Sequence, residues 1–244
     1  MWGNGARAVT VALGMTSSAA PVKVDIWSDV ACPWCYIGKR RLETALAQPG
    51  APAVEIEYHS FELSPDTPVD FEGSEIDFLA HHKGMAPAQV EQMLGQMTQL
   101  AAAEGLEYHF DTLRHTKTLL AHELLHHAKA HGLQVEMKER LLRAYFTESQ
   151  HVGHVDELVE LATEVGLDAD ETRAALTDHR YSDDVAADIA QARALGINGV
   201  PFFVLDGKYG VSGAQSPETF SAVLERVVAE RTDAGREPET SGVA

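Results

Sequence analysis

The chain has 244 residues, 45% apolar and 23% charged, a balance that suits a globular protein with one interrupted domain or two small ones. Its 37 acidic residues outnumber 19 basic ones, and the formal charge of −18 repels phosphate backbones and sets nucleic acid aside as a partner. No run reaches the ~18–20 consecutive apolar residues of a membrane-spanning helix, so no membrane partner is expected.

Residues 1–20 read as a flexible leader, in which Arg7 precedes a short apolar stretch from Ala8 to Met15 interrupted by Thr10 and Gly14. A weak signal peptide, and with it export, is the alternative. Two cysteines without a structural framework around them suit a reducing compartment, so the expected location is cytoplasmic. Val22, Val24 and Ile26 then alternate with Lys23, Asp25 and Trp27, the period of a half-buried strand.

The period changes within Ser28-Asp29-Val30-Ala31-Cys32-Pro33-Trp34-Cys35-Tyr36-Ile37-Gly38-Lys39-Arg40-Arg41-Leu42, which holds both cysteines of the chain. Pro33 suits a first helical position, where its missing N–H costs nothing, and Ile37, Leu42, Ala45 and Leu46 supply an apolar helical face. A helix therefore opens at the cysteine pair. The free N–H groups and partial positive charge of a first turn favour a thiolate at Cys32, with a lowered pKa and a ready nucleophile. Cys35, one turn on, can attack a mixed disulfide formed at Cys32. Structural zinc is the competing reading, but it needs four ligands; there is no second cysteine pair, and the next histidine is His59. Asp29 reads as a solvated turn carboxylate, the alternative being a group that repels the Cys32 thiolate or passes protons.

Pro49-Gly50-Ala51-Pro52 forms a turn, and Val54, Ile56 and Tyr58 alternate with Glu55, Glu57 and His59 as a second strand, parallel to the first across the helix. Ser64-Pro65-Asp66-Thr67-Pro68 breaks regular structure. From about Ser74 to Arg180 the pattern is helical, with segments at Met85–Glu104, Thr116–Ala130, Val135–Ser149 and Val155–Val165 and another opening at Asp168. His122-Glu123-Leu124-Leu125-His126 matches the zinc-protease pattern His-Glu-x-x-His, and His127 and His131 are also four apart. No third ligand supports catalytic zinc, so no metal is expected and these histidines read as a polar helix face, with His122 toward the cleft below the helical block. Val185, Ile189 and Ala192 mark a further helix ending near Gly196. Phe202 to Leu205 and a strand through Tyr209 and Val211 flank the hairpin signal Asp206-Gly207, and a last helix runs from Pro217 to about Ala229. The end of the chain reads as a flexible tail, 231–244.

A βαβ half and an αββα half thus flank about a hundred helical residues. The chain resembles DsbA-type thioredoxin-fold oxidoreductases, and within them the FrnE branch, on Ile26 to Arg40, on Gly199-Val200-Pro201-Phe202-Phe203 and on Val211-Ser212-Gly213-Ala214-Gln215. The resemblance covers about Val22 to Ala229. It implies an α/β thioredoxin-like fold, residues 21–63 and 181–230, with an all-helical insertion, 64–180, between its βαβ and αββα halves. It also implies a cis bond at Pro201, placed opposite the cysteines, and a Val200 backbone that pairs with an extended substrate segment. Pro33 and Trp34 would tune the couple within the range of about −270 to −120 mV known for such proteins.

The implied function is thiol–disulfide exchange with a protein or small-molecule partner bearing a thiol or disulfide. Cys32 is then the nucleophile and Cys35 the resolving residue. No cofactor beyond this redox-active pair is expected, with glutathione as a candidate co-substrate. The alternative is a glutathione-dependent isomerase or transferase resembling 2-hydroxychromene-2-carboxylate isomerase or kappa-class glutathione transferase. Those relatives keep a single serine at the catalytic helix start, and the retained Cys35 favours dithiol chemistry.

Overall fold

A computed structural model describes residues 20–234; most of the 1–20 leader and the tail from 235 on lie outside the described residues. Strand β1 (Val22–Ser28) pairs in parallel with β2 (Val54–Ser60), joined by α1 (Pro33–Leu46). On its other side β1 pairs antiparallel with β3 (Phe202–Leu205), which pairs with β4 (Tyr209–Ser212), so the sheet order is β2-β1-β3-β4. Asp206 and Gly207 both have positive φ, 56° and 65°, as a tight hairpin of this kind requires. One sheet face packs Val24, Ile26 and Leu205 against Leu42 of α1 and against Phe220, Leu224 and Val227 of α9 (Pro217–Ala234). On the other face Trp27 packs with Ala192 and Ile197, from α8 (Ser182–Ala194) and the turn after it.

Between β2 and α8 lie α2 (Glu75–Lys83), α3 (Pro87–Ala103), α4 (Leu119–Ala130), α5 (Gln134–Phe146), α6 (Val155–Glu164) and α7 (Ala169–Thr177). This is the thioredoxin-like α/β fold with a helical insertion. The core of the insertion, built on Leu124, Met137, Leu141 and Tyr145, continues into Val30, Tyr36 and Ile37. The cysteine helix therefore has two apolar sides, one on the sheet and one on the insertion.

Several boundaries differ from the pattern: α3 begins at Pro87 rather than Met85, α5 ends at Phe146 rather than Ser149, and two further ends have a visible cause. Helix α4 starts at Leu119 rather than Thr116, because Thr116 is drawn away: its hydroxyl donates to the Val69 carbonyl at 2.6 Å, while the neighbouring His115 bonds Glu75 at 2.8 Å. Helix α9 continues past Ala229 to Ala234, and in those last turns Arg231 pairs with Asp206 of the hairpin and donates to the Ala20 carbonyl at 2.6 Å.

Candidate active site

Cys32 is the N-cap of α1, with extended backbone (φ −94°, ψ 111°), and Pro33 opens the helix behind it. The Val200–Pro201 bond is cis, and the Val200 carbonyl lies 3.5 Å from the Cys32 sulfur, close enough to accept from its thiol. Pro201 is fixed in turn, since its carbonyl accepts from Gly213 N–H at 2.8 Å. Gly38 lets α1 approach this segment: a Cβ there would stand 3.1 Å from Pro201 Cγ and 3.2 Å from Phe203 Cζ. From the insertion, the Tyr108 hydroxyl donates to the Pro33 carbonyl at 2.7 Å. Arg41 ties α1 to Glu104 and, at 2.6 Å, to the Ala214 carbonyl beyond β4. Three separate parts of the chain thus converge on the cysteine helix.

Both cysteines are free and buried, and a cavity of about 320 Å³ opens beside Cys32. Pro33, Trp34 and Val200 line it on one side, and Phe78, Met93 and Met97 of the insertion on the other. Cys35 is not among its walls, so an occupant meets Cys32 first. Trp34, 39% exposed, stands at the mouth, with His82 and Lys83 on the α2 side.

The electrostatics correct the expectation of a lowered pKa at Cys32. Its hydrogen bond with Cys35, burial and the nearby charges of Cys35 and Asp29 push the Cys32 thiol up. Cys35 moves the other way: burial opposes its ionisation, but the Cys32 thiol, the Lys138 ammonium and the Ser28 hydroxyl outweigh that. Whatever negative charge the pair carries therefore rests toward Cys35 rather than Cys32.

Asp29 is buried, not solvated. Its carboxylate accepts from Leu63 N–H at 2.8 Å and bonds His122 Nε2 at 3.2 Å. Burial would raise its pKa, but the His122 interaction and these hydrogen bonds hold it below the usual carboxylate range. Nor do the α4 histidines form a polar face: His122, His126 and His127 are buried, and only His131, just past the helix end, is exposed. His126 Nε2 lies 3.1 Å from Ser60 Oγ and from Asp188, so His122 and His126 are committed to different carboxylates. Among the described residues, three other groups bring possible metal-ligand atoms within 4.8 Å of one another: Asp70, His151 and His154; His127, His131 and Glu171; Asp25, Glu57 and His59. None lines the cavity beside Cys32.

Sequence reasoning missed two groups beneath the site. His59 bridges Asp188 and Asp25, each at 2.9 Å, and stacks on Trp27 with centroids 4.5 Å apart. Asp188 also accepts from Ser60 N–H at 2.7 Å, which joins α8 to the end of β2. Burial works against the imidazolium, but the two carboxylates raise the His59 pKa to about 9. The second group is Lys138, wholly buried on α5. Its only sequence signal is a lysine set in the apolar row of Leu141, Leu142 and Tyr145.

A family model described as DSBA-like thioredoxin domain matches residues 23–225. Over 205 residues the chain is 29% identical to YwbO of Bacillus subtilis, covering 83% of this chain and 96% of that protein. A crystal structure described as a probable DsbA oxidoreductase from Streptomyces coelicolor is 42% identical, with a TM-score of 0.81 over 89% of this chain and 92% of that one. The cytosolic disulfide reductase DsbM of Pseudomonas aeruginosa, solved with glutathione, is similar in fold: TM-score 0.61, 19% identity, covering 85% of this chain and 99% of that one.

Proposed function

From its membership of the DsbA-like thioredoxin-domain family, we propose that this chain is a thiol–disulfide oxidoreductase, with Cys32 as nucleophile and Cys35 as resolving residue. The observation that carries the reading is the arrangement at the cavity: Cys32 at its wall, the Val200 carbonyl against its sulfur, and Cys35 buried behind it, its backbone N–H on the Cys32 carbonyl at 3.0 Å. Cys32 attacks a substrate disulfide entering from the cavity, which leaves a mixed disulfide on Cys32 and releases a thiol. Cys35 then attacks the Cys32 sulfur, the internal disulfide forms, and the second thiol leaves. The reverse sequence oxidises a dithiol substrate.

Pro33 and Trp34 tune the couple, and the Val200-Pro201 segment binds the substrate backbone next to the reacting sulfur. The lining of Phe78, Met93 and Met97 favours a disulfide or thiol compound with an apolar part. Glutathione is the proposed co-substrate, and the cytoplasm the proposed compartment.

Trapping tests the assignment. On exposure to oxidised glutathione, the Cys35→Ser variant is expected to accumulate one glutathione adduct, mapped to Cys32, and Cys32→Ser none. An adduct that forms on Cys35 first, or that Cys35→Ser clears as fast as the unmodified protein, overturns these roles.

A further inference from the structure

Lys138 is an anomaly in a well-packed core. It is wholly buried, among the largest fully buried side chains of the protein, and its ammonium makes no hydrogen bond among the described residues. An unpaired buried charge is strongly destabilising, so such a group persists where its charge or proton is used. Neighbouring acids do not serve it. Glu139 is taken by Lys39 at 2.6 Å, by Arg40 and by the Tyr36 hydroxyl at 2.7 Å.

The surroundings hold Lys138 near the cysteines. Gln134, one turn earlier on α5, clamps the helix to β2 through both backbone groups of Tyr58, at 2.9 and 2.8 Å. The Lys138 ammonium sits 5.6 Å from the Tyr58 ring centroid, a cation–π contact that holds it without neutralising it. On the α1 side, Lys39, one turn after Cys35, bridges to Glu139, so the Cys35 row of α1 faces the residues around Lys138 on α5. The charged and titratable groups near enough to act on Lys138 are Cys35, Cys32 and Lys39 from α1 and its cap and Asp29 from the turn before it, with the Tyr58 ring of β2 in contact.

We propose that Lys138, carried by the insertion, is the buried charge and proton partner of Cys35 in disulfide exchange. The inference rests on the oxidoreductase reading above. In the reduced protein the Lys138 ammonium stands beside a Cys35 thiolate. During resolution the Cys35 thiolate attacks the Cys32 sulfur of the mixed disulfide Cys32–S–S–R. The Cys32–Cys35 disulfide bond forms, the S–S bond between the Cys32 sulfur and the substrate sulfur breaks, and RS⁻ leaves with the electron pair. Lys138 has then lost its anion in an apolar site, and its proton goes, through solvent, to the leaving thiolate. Both cysteines are oxidised, the substrate is reduced, and Lys138 ends as a neutral amine. Burial, the larger influence on Lys138, lowers its pKa against the pull of Cys35, Asp29 and Cys32, as a lysine that cycles between charged and neutral requires.

The test is stopped-flow oxidation of the reduced full-length chain by excess oxidised glutathione across pH 5 to 9. The concentration-dependent phase reports attack by Cys32, and the concentration-independent phase reports resolution by Cys35. In Lys138→Met the resolving phase is expected to slow about tenfold or more at pH 7, with its inflection moved up in pH; Lys138→Arg, which keeps the charge, is expected to retain the low inflection. The same Lys138→Met variant is expected to melt at a higher temperature than the unmodified protein, because an apolar side chain replaces an unpaired charge. An unchanged inflection in Lys138→Met overturns the proposal, and so does a melting point lowered with no change in the profile. If the unmodified protein shows no resolving phase at any pH, the oxidoreductase reading itself falls.

Discussion

Replacing Asp188 with asparagine cuts the main support of a buried charge. The His59 pKa rises from 6.5 to about 9 through its bonds to Asp188 and Asp25, and at ~1.4 kcal/mol per tenfold in proton affinity this corresponds to about 3 kcal/mol favouring the folded imidazolium. Because the folded value lies above the unfolded one, that stability is complete below pH 6.5 and is lost as pH rises through 9. Asp188→Asn removes one of the two carboxylates and also weakens the bonds to His126 and to Ser60 N–H, at 3.1 and 2.7 Å. Breaking one partner of a buried charged pair costs about 3–5 kcal/mol; since Asp25 still holds His59 Nε2, we expect a loss of about 2–4 kcal/mol near pH 6. Urea denaturation of both proteins under reducing conditions measures it. The difference between the two is expected to shrink by roughly 2 kcal/mol between pH 6 and pH 9.5, as the His59 charge disappears from the unmodified protein. Equal differences at both pH values, or a variant as stable as its parent, would refute the reasoning.

Other outcomes follow from single contacts. Gly38→Val forces a side chain against Pro201 and Phe203, at a cost of about 1–3 kcal/mol, and is expected to lower both the melting temperature and the exchange rate; a variant unchanged in both contradicts the close packing. Asp29→Asn removes a negative charge that pushes the Cys32 thiol up while keeping an acceptor for Leu63 N–H, so thiolate absorbance is expected to titrate at lower pH than in the unmodified protein. A titration that stays in place or moves up rejects that electrostatic role. Tyr108→Phe deletes the donor to the Pro33 carbonyl and is expected to cost about 1 kcal/mol in denaturant melts, with no measurable loss counting against the anchor.

The sheet, the cysteine helix and the hairpin were legible because each rests on local chemistry. Alternation at Val22, Val24 and Ile26 marks β1, Pro33 marks the start of α1, and Asp206-Gly207 supplies the two positive φ angles of its turn. What joins the halves was not legible, because it depends on partners far apart in the chain. Asp29 looked solvated since nothing within its turn neutralises it; the group that does, His122, is 93 residues away. His59 and Asp188 are 129 residues apart, and neither sits in a motif. The α4 histidines resembled a polar face because their spacing is helical, but that face meets α8 and the cysteine turn rather than water, so His122, His126 and His127 are buried and only His131, past the helix end, is exposed. Pro201 was placed opposite Cys32 only through the family resemblance, since its local sequence says nothing of the fold that brings Val200 to 3.5 Å from the sulfur.

The central claim is tested most directly by the reduction potential of the Cys32–Cys35 pair, measured by titration in glutathione buffers with Cys32→Ser and Cys35→Ser as controls. The account predicts a reversible two-electron couple between about −270 and −120 mV that disappears in both variants. Failure to form an internal disulfide, or glutathione-dependent turnover that survives Cys35→Ser unchanged, would contradict it and favour isomerase or transferase chemistry.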